Sequence, residues 1–200
     1  MKRRKMLKQL GFASAAVVAT PAVLSLLNSC TTEPKIWQPQ FLNLEGGQVL
    51  QKLVDVFLPK TELPSASELN IPEFIDRYLN EVYETKEQTA FKEAYAKVLL
   101  QLKADSQKEL ADLEEKDYHA FLDKRLKTKD EIDTDRENNP DFEGLTTSEC
   151  LDSLKWMCIN TYINTEKIGE DVLAYDPVPG EYYCGDLDEL TQGKRWSLMW

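Results

Sequence analysis

The sequence predicts a mainly α-helical fold: one domain of five to six helices, ending in an irregular segment rich in proline, glycine and aromatic residues, and preceded by a signal peptide. Three observations carry this prediction. Apolar residues recur at i, i+3, i+4 and i+7 through most of the chain after residue 46. Capping residues stand ahead of several of those runs. No run shows sustained period-two alternation, the mark of a half-buried strand.

Residues 1–29 read as an export address. The run MKRRKMLKQL carries five positive charges (Lys2, Arg3, Arg4, Lys5, Lys8) and no acid. An apolar stretch from Phe12 to Leu27 follows, broken by Ser14, Thr20, Pro21 and Ser25, and then comes Leu27-Asn28-Ser29-Cys30. A basic head, a short apolar middle and a small residue before the cut make a signal peptide. The apolar part is too short and too interrupted for a spanning helix. Arg3-Arg4-Lys5-Met6-Leu7-Lys8 resembles the twin-arginine signal that exports folded proteins. The last four residues resemble a lipobox, in which Cys30 becomes the lipid-bearing N-terminus. A plain cleaved signal and an uncleaved anchor are the alternatives. The expected location is periplasmic, held at the membrane by lipid at Cys30.

Residues 30–45 contain two prolines and little periodicity, and read as a tether whose Trp37 and Phe41 dock onto the body. The helical domain is assigned to 46–200. Gly46-Gly47 opens its first helix, with Leu50, Leu53, Val54 and Phe57 on one stripe, and Pro59 stops it. Asn70 and Glu73 resemble a capping box, with Pro72 in the first turn, ahead of Ile71, Ile75, Tyr78, Leu79 and Val82 on one side. A long helix over 86–104 carries Phe91, Tyr95, Val98, Leu99 and Leu102. Another, over 116–127, carries Tyr118, Phe121, Leu122 and Leu126, with His119 read as a surface residue. Thr146 and Glu149 form a capping box for the last strong helix. Its Leu151, Leu154, Cys158 and Tyr162 share a face flanked by Trp156 and Met157, and its apolar breadth predicts a central position.

Charge and composition exclude some functions. Removing residues 1–29 leaves 19 basic and 35 acidic residues, a net charge of −16. Such a body does not bind nucleic acid without a dense basic patch, and the run Lys124–Lys129 is followed at once by Asp130, Glu131, Asp133 and Asp135. The acidic segment 128–144 lacks the glycine and glutamate of a calcium loop, since with Asp133 as the first position the sixth is Asn138 and the twelfth Gly144, and it reads as a solvated loop. Cys150 and Cys158 lie eight apart on a predicted helix, roughly 12 Å along its axis, too far for a disulfide. Any bridge must use Cys184; buried free thiols are the alternative. One histidine and no CxxC pair give a zinc site little to build on, and no P-loop, GxGxxG or GxSxG motif is present. No catalytic, cofactor-binding or metal-ligating residue is assigned.

The C-terminal region carries the most distinctive motif, Tyr175-Asp176-Pro177-Val178-Pro179-Gly180-Glu181-Tyr182. Pro177 and Pro179 fix φ near −65° and lack an N–H, and Gly180 permits a turn. A pre-stiffened segment with Tyr175, Tyr182 and Trp196 nearby loses little entropy on docking. Tyr175, Asp176, Pro177, Pro179, Gly180, Tyr182 and Trp196 are therefore the candidate partner interface. The same segment could equally wrap the protein's own helices.

That motif, with the twin-arginine-like head, Leu53–Thr61 running into Ile71–Asp76, Leu154-Lys155-Trp156-Met157 and Gly193–Ser197, resembles the gluconate 2-dehydrogenase subunit 3 family. The resemblance implies a small accessory subunit with no redox cofactor of its own. It implies a large FAD-dependent partner that oxidises a sugar, sugar acid or alcohol, and a cytochrome c subunit or another acceptor in place of NAD. Export, assembly and membrane association of that partner are the expected role. An independent lipoprotein that binds a small ligand or glycan is the alternative.

Overall fold

A computed structural model describes residues 37–126, 138–139, 141, 143–176 and 184–197. The chain divides into two units, Met1–Trp37 and Gln38–Trp200, and the described helices all lie in the second. The mainly α prediction holds: among the described residues the only β feature is an isolated bridge between Ala174 and Trp196.

Helix α1 spans Leu44–Phe57, two residues earlier than the glycine pair suggests, because Asn43 caps it and accepts from the Gly46 amide at 2.7 Å. Gly46 is required by close approach. A Cβ there would lie 2.8 Å from Asn43 Oδ1 and 3.3 Å from Tyr95 Cε1. The Tyr95 hydroxyl donates to the Gly46 carbonyl at 2.8 Å, which satisfies a buried phenol. Leu50, Leu53 and Val54 are fully buried, as their stripe predicts, while Phe57, the fourth residue of that stripe, is half-buried at the helix end.

Helix α2 spans Ile71–Glu81. The capping box expected at its start does not form. Asn70 has φ 55° and makes no side-chain cap bond, because its backbone already closes the 3-10 turn Ser67–Leu69, donating to the Ser67 carbonyl at 3.1 Å. The predicted buried side of α2 also needs correction. Ile71, Ile75 and Leu79 are buried, but Tyr78 and Val82 are 37% and 58% exposed. Tyr78 sits about 60° around the helix from the centre of the buried row, and Val82 is the C-cap residue, past the last turn of α2.

Helix α3 spans Thr85–Ser106 and opens with the Glu87 carboxylate accepting from the Glu84 amide at 2.9 Å, a cap the sequence reading did not single out. It buries Phe91, Tyr95, Val98 and Leu102. Helix α4, Glu115–Leu126, buries Tyr118, Phe121 and Leu122 and leaves His119 exposed beside Glu115 at 3.5 Å. Helix α5, Thr147–Ile163, starts with the predicted box: Thr146 Oγ1 accepts from the Glu149 amide at 3.2 Å and Glu149 accepts from the Thr146 amide at 3.1 Å. It packs against α1, α2, α3 and α4, so it is central. Two short helices follow, α6 at Glu166–Gly169 and α7 at Leu187–Thr191.

One buried carboxylate ties the segment ahead of α1 to this bundle. Asp76 on α2 is fully buried. It accepts from the amides of Gln40 at 2.6 Å, Phe41 at 3.2 Å and Leu42 at 3.0 Å. Burying a carboxyl group is costly unless hydrogen bonds replace its water, and three backbone N–H donors do so here. Phe41 docks on the body as expected, tilted against Phe91 at 6.1 Å, with the Lys92 ammonium 4.4 Å above its ring.

Cys150 and Cys158 are buried free thiols and Cys184 is an exposed one, so of the two alternatives the structure takes the thiols. Burial pushes both buried thiols from 9.0 up to about 12.

Two outcomes follow from this packing. Asp76→Ala leaves three amides without their acceptor and should cost more than about 2 kcal/mol in urea unfolding; an unchanged midpoint would contradict the clamp. In the folded chain a thiol reagent should label Cys184 and spare Cys150 and Cys158 until denaturant is added. The raised thiol pKa values favour the protonated form in the fold. Their contribution is whole below pH 9 and lost as pH climbs towards about 12, so stability should decline across that window.

Candidate functional site: an aromatic groove on α2 and α5

Three of the exposed aromatic side chains among the described residues, Phe74, Tyr78 and Trp156, converge where α2 packs on α5. Successive turns of α5 bring Trp156 and Asn160 into one row and Met157 and Thr161 into the next, and Asn164 and Thr165, just past its end, continue the lining. On α2, Phe74 and Tyr78 occupy the facing row. Between them lies a groove of about 390 Å³. Its floor is the buried Ile71, Ile75 and Met157; its walls are Phe74 at 51%, Tyr78 at 37% and Trp156 at 64% exposure.

The wall on α2 is braced from within. Phe74 stacks on Tyr78 at 6.1 Å, Tyr78 meets Tyr83 edge-on at 5.8 Å, and Tyr83 meets Phe91 at 6.3 Å. Phe91 also holds Phe41. A continuous aromatic row therefore joins the groove to the segment clamped by Asp76.

The groove can bind but carries no acid–base machinery. Its polar lining is amide and hydroxyl: Asn160, Thr161, Asn164 and Thr165. Part of that capacity serves the helix end, with Asn164 donating to the Asn160 carbonyl at 2.7 Å and Thr165 to the Tyr162 carbonyl at 2.8 Å. Carboxylates with shifted pKa values lie elsewhere and on the surface. Lys60 holds Glu68 below its usual range, Lys116 does so for Glu114, and Lys108 for Asp117. A second hollow, of about 650 Å³, includes Asp55, Lys60 and Glu114. Three of its ionic groups are committed structurally: Asp55 accepts from the Ser67 amide at 2.9 Å, Lys60 pairs with Glu68, and Glu114 pairs with Lys116.

The interface residues expected from the sequence fare unevenly. Ala174 donates to the Arg195 carbonyl and accepts from the Ser197 amide, both at 2.9 Å. This bridge brings the Tyr175-Asp176 segment beside Trp196, which the sequence separates by twenty residues. Tyr175 is 40% exposed, and Asp176 and Trp196 are half-buried. Pro177, Pro179, Gly180 and Tyr182 lie outside the described residues, as do Arg3, Arg4 and Cys30 and most of the acidic segment 128–144. The residues overlooked as a site are Phe74, Tyr78 and Trp156. Their signal was available: Phe74 falls off the buried stripe of α2, and Trp156 falls on the flank of α5.

The sequence profile described as gluconate 2-dehydrogenase subunit 3 matches residues 45–180, from the start of α1 through the Tyr175–Gly180 motif. No curated protein and no solved structure matches the chain. With that match covering the helical body and the groove together, the chain belongs to the gluconate 2-dehydrogenase subunit 3 family.

Proposed function

We propose that this chain is the small accessory subunit of a membrane-associated FAD-dependent dehydrogenase, supporting the export, assembly and membrane association of a larger catalytic subunit. The family match over 45–180 carries the reading, since membership implies association with a dehydrogenase complex. The aromatic groove agrees with it. Exposed Trp, Tyr and Phe side chains grouped on one face are the residues that anchor protein interfaces. The larger subunit binds FAD and oxidises a sugar, sugar acid or alcohol, and electrons leave through a cytochrome c subunit or another acceptor. The groove's amides and hydroxyls neither carry electrons nor move protons near neutrality, which fits a division of labour with the redox chemistry in the partner.

Arg3 and Arg4 would send the complex through twin-arginine export, and lipid at Cys30 would hold it at the periplasmic face of the membrane. A folded route suits a body with buried free thiols, whose folding does not wait for a disulfide.

One observation favours a second reading. A groove of about 390 Å³ with Trp156 on its wall and Asn160 and Asn164 at one end has the size and chemistry of a small-ligand or glycan site. An independent ligand-binding lipoprotein would use it so.

Native extraction should recover this chain with a larger, yellow, FAD-containing protein. Recovery only as a colourless monomer that binds a sugar would overturn the accessory reading in favour of the second. Arg3→Lys with Arg4→Lys should trap the precursor inside the cell, detected by fractionation, and continued export would refute the twin-arginine route. Cys30→Ala should move the mature chain from the membrane to the soluble fraction.

A further inference from the structure

We infer that the seating of residues 40–42 on Asp76 and the shape of the groove's α2 wall are one coupled equilibrium, joined by Phe41, Phe91 and Tyr83 as positioning residues. The coupling belongs to this chain alone and does not depend on what the groove receives.

Its two ends lie on opposite sides of one helix. Asp76 is fully buried on α2 and accepts from the amides of Gln40, Phe41 and Leu42. Phe74 and Tyr78 stand two residues either side of it, about 160° around the helix. At 51% and 37% exposure these rings are not held by burial. A row of ring contacts that leaves α2 and returns to it orients them. Phe74 stacks on Tyr78 at 21°, Tyr78 meets Tyr83 at 70°, Tyr83 meets Phe91 at 85°, and Phe91 meets Phe41 at 57°. Phe41 belongs to the segment that Asp76 clamps, so the path closes on α2.

Phe91 is where the two ends meet. It is fully buried and packs on three rings at once, with Phe41 and Tyr95 at 6.1 Å and Tyr83 at 6.3 Å. Tyr95 is fixed by its hydroxyl, which donates to the Gly46 carbonyl. Phe41 is not fixed in this way. It stands in a non-helical segment whose Gln38 and Gln40 are exposed, the kind of segment that opens locally before helices do. When residues 40–42 leave Asp76, Phe41 leaves Phe91 and opens one side of it. A close-packed ring beside a void turns into that void. The edge-on contact with Tyr83 depends on the tilt of Phe91, and the rotamers of Tyr78 and Phe74 depend on Tyr83. Seating of 40–42 therefore selects the arrangement in which the α2 wall is formed. By linkage, whatever grips that wall tightens the seat by the same factor.

Amide exchange and fluorine NMR on the complete chain test this. Tyr83 is half-buried and lies beyond the end of α2, so Tyr83→Ala cuts the row without disturbing that helix. It should speed exchange of the Gln40, Phe41 and Leu42 amides by about two- to tenfold, the range of one lost aromatic pair, with exchange in α5 unchanged. Tyr83→Phe keeps the ring and should restore wild-type rates. Trp156, on the facing wall, is outside the row, and Trp156→Ala should leave those rates as they are. In the other direction, Phe41→Leu fills its site without a ring. It should shift or broaden the signal of a fluorinated phenylalanine in place of Phe74, and should change that signal no further once Tyr83→Ala is present. Wild-type exchange at 40–42 in Tyr83→Ala, equal acceleration in Tyr83→Phe, acceleration shared by α5, or a fluorine signal indifferent to Phe41→Leu would each overturn the coupling while leaving the accessory role intact.

Discussion

A carboxylate with no water around it organises this protein. Asp76 sits on the inner face of α2, and the amides of Gln40, Phe41 and Leu42 wrap it. Burying a polar group without hydrogen-bond partners is expensive, so the fold tolerates Asp76 only while that short backbone segment stays in place. The constraint runs both ways. The segment ahead of α1 is held against α2, and α2 is held in the register that lets Ile71, Ile75 and Leu79 fill the core. Phe41 is then positioned over Phe91.

From Phe91 the packing continues outward through Tyr83 and Tyr78 to Phe74. Aromatic pairs at 5.8–6.3 Å in tilted, stacked and edge-on arrangements are favourable contacts beyond their buried area. The row explains how side chains as apolar as Phe74 and Tyr78 stay fixed at a surface. They lean on the core at one end and offer a face at the other. The place where residues 40–42 join the body and the face that remains unfilled thus share a support.

The groove and the rest of the molecule differ in chemical character. Ion pairs around Lys108, Glu114, Lys116 and Asp117 pin the turn before α4 at the surface, where such pairs add little stability. Buried hydroxyls and thiols are raised in pKa by desolvation, and so are held neutral: Tyr95 donates to Gly46, and Cys158 points its sulfur towards the Val54 carbonyl at 4.0 Å. Tyr95 and Cys158 are therefore employed in packing. In the groove, by contrast, Phe74, Tyr78 and Trp156 keep large apolar faces exposed.

Local sequence determined the helices and several of their starts. The stripe on α1, the breadth of α5 and the Thr146–Glu149 box depend only on residues within a few turns of one another, and each appears as read. The family match likewise follows from the residues themselves. Asn70 shows where local reasoning ends: its residue type suits a cap, but the preceding 3-10 turn sets its backbone to φ 55° and removes its side chain from that role. Tyr78 and Val82 show it again, because an apolar residue at helical spacing faces the core only if another element covers it, and coverage is a property of the packed chain. The Asp76 clamp joins residues 34–36 positions apart, and the groove needs α2 and α5 side by side. Periodicity along one helix carries no information about which neighbour stops short of its outer face; tertiary packing alone decided that Phe74, Tyr78 and Trp156 would be left open.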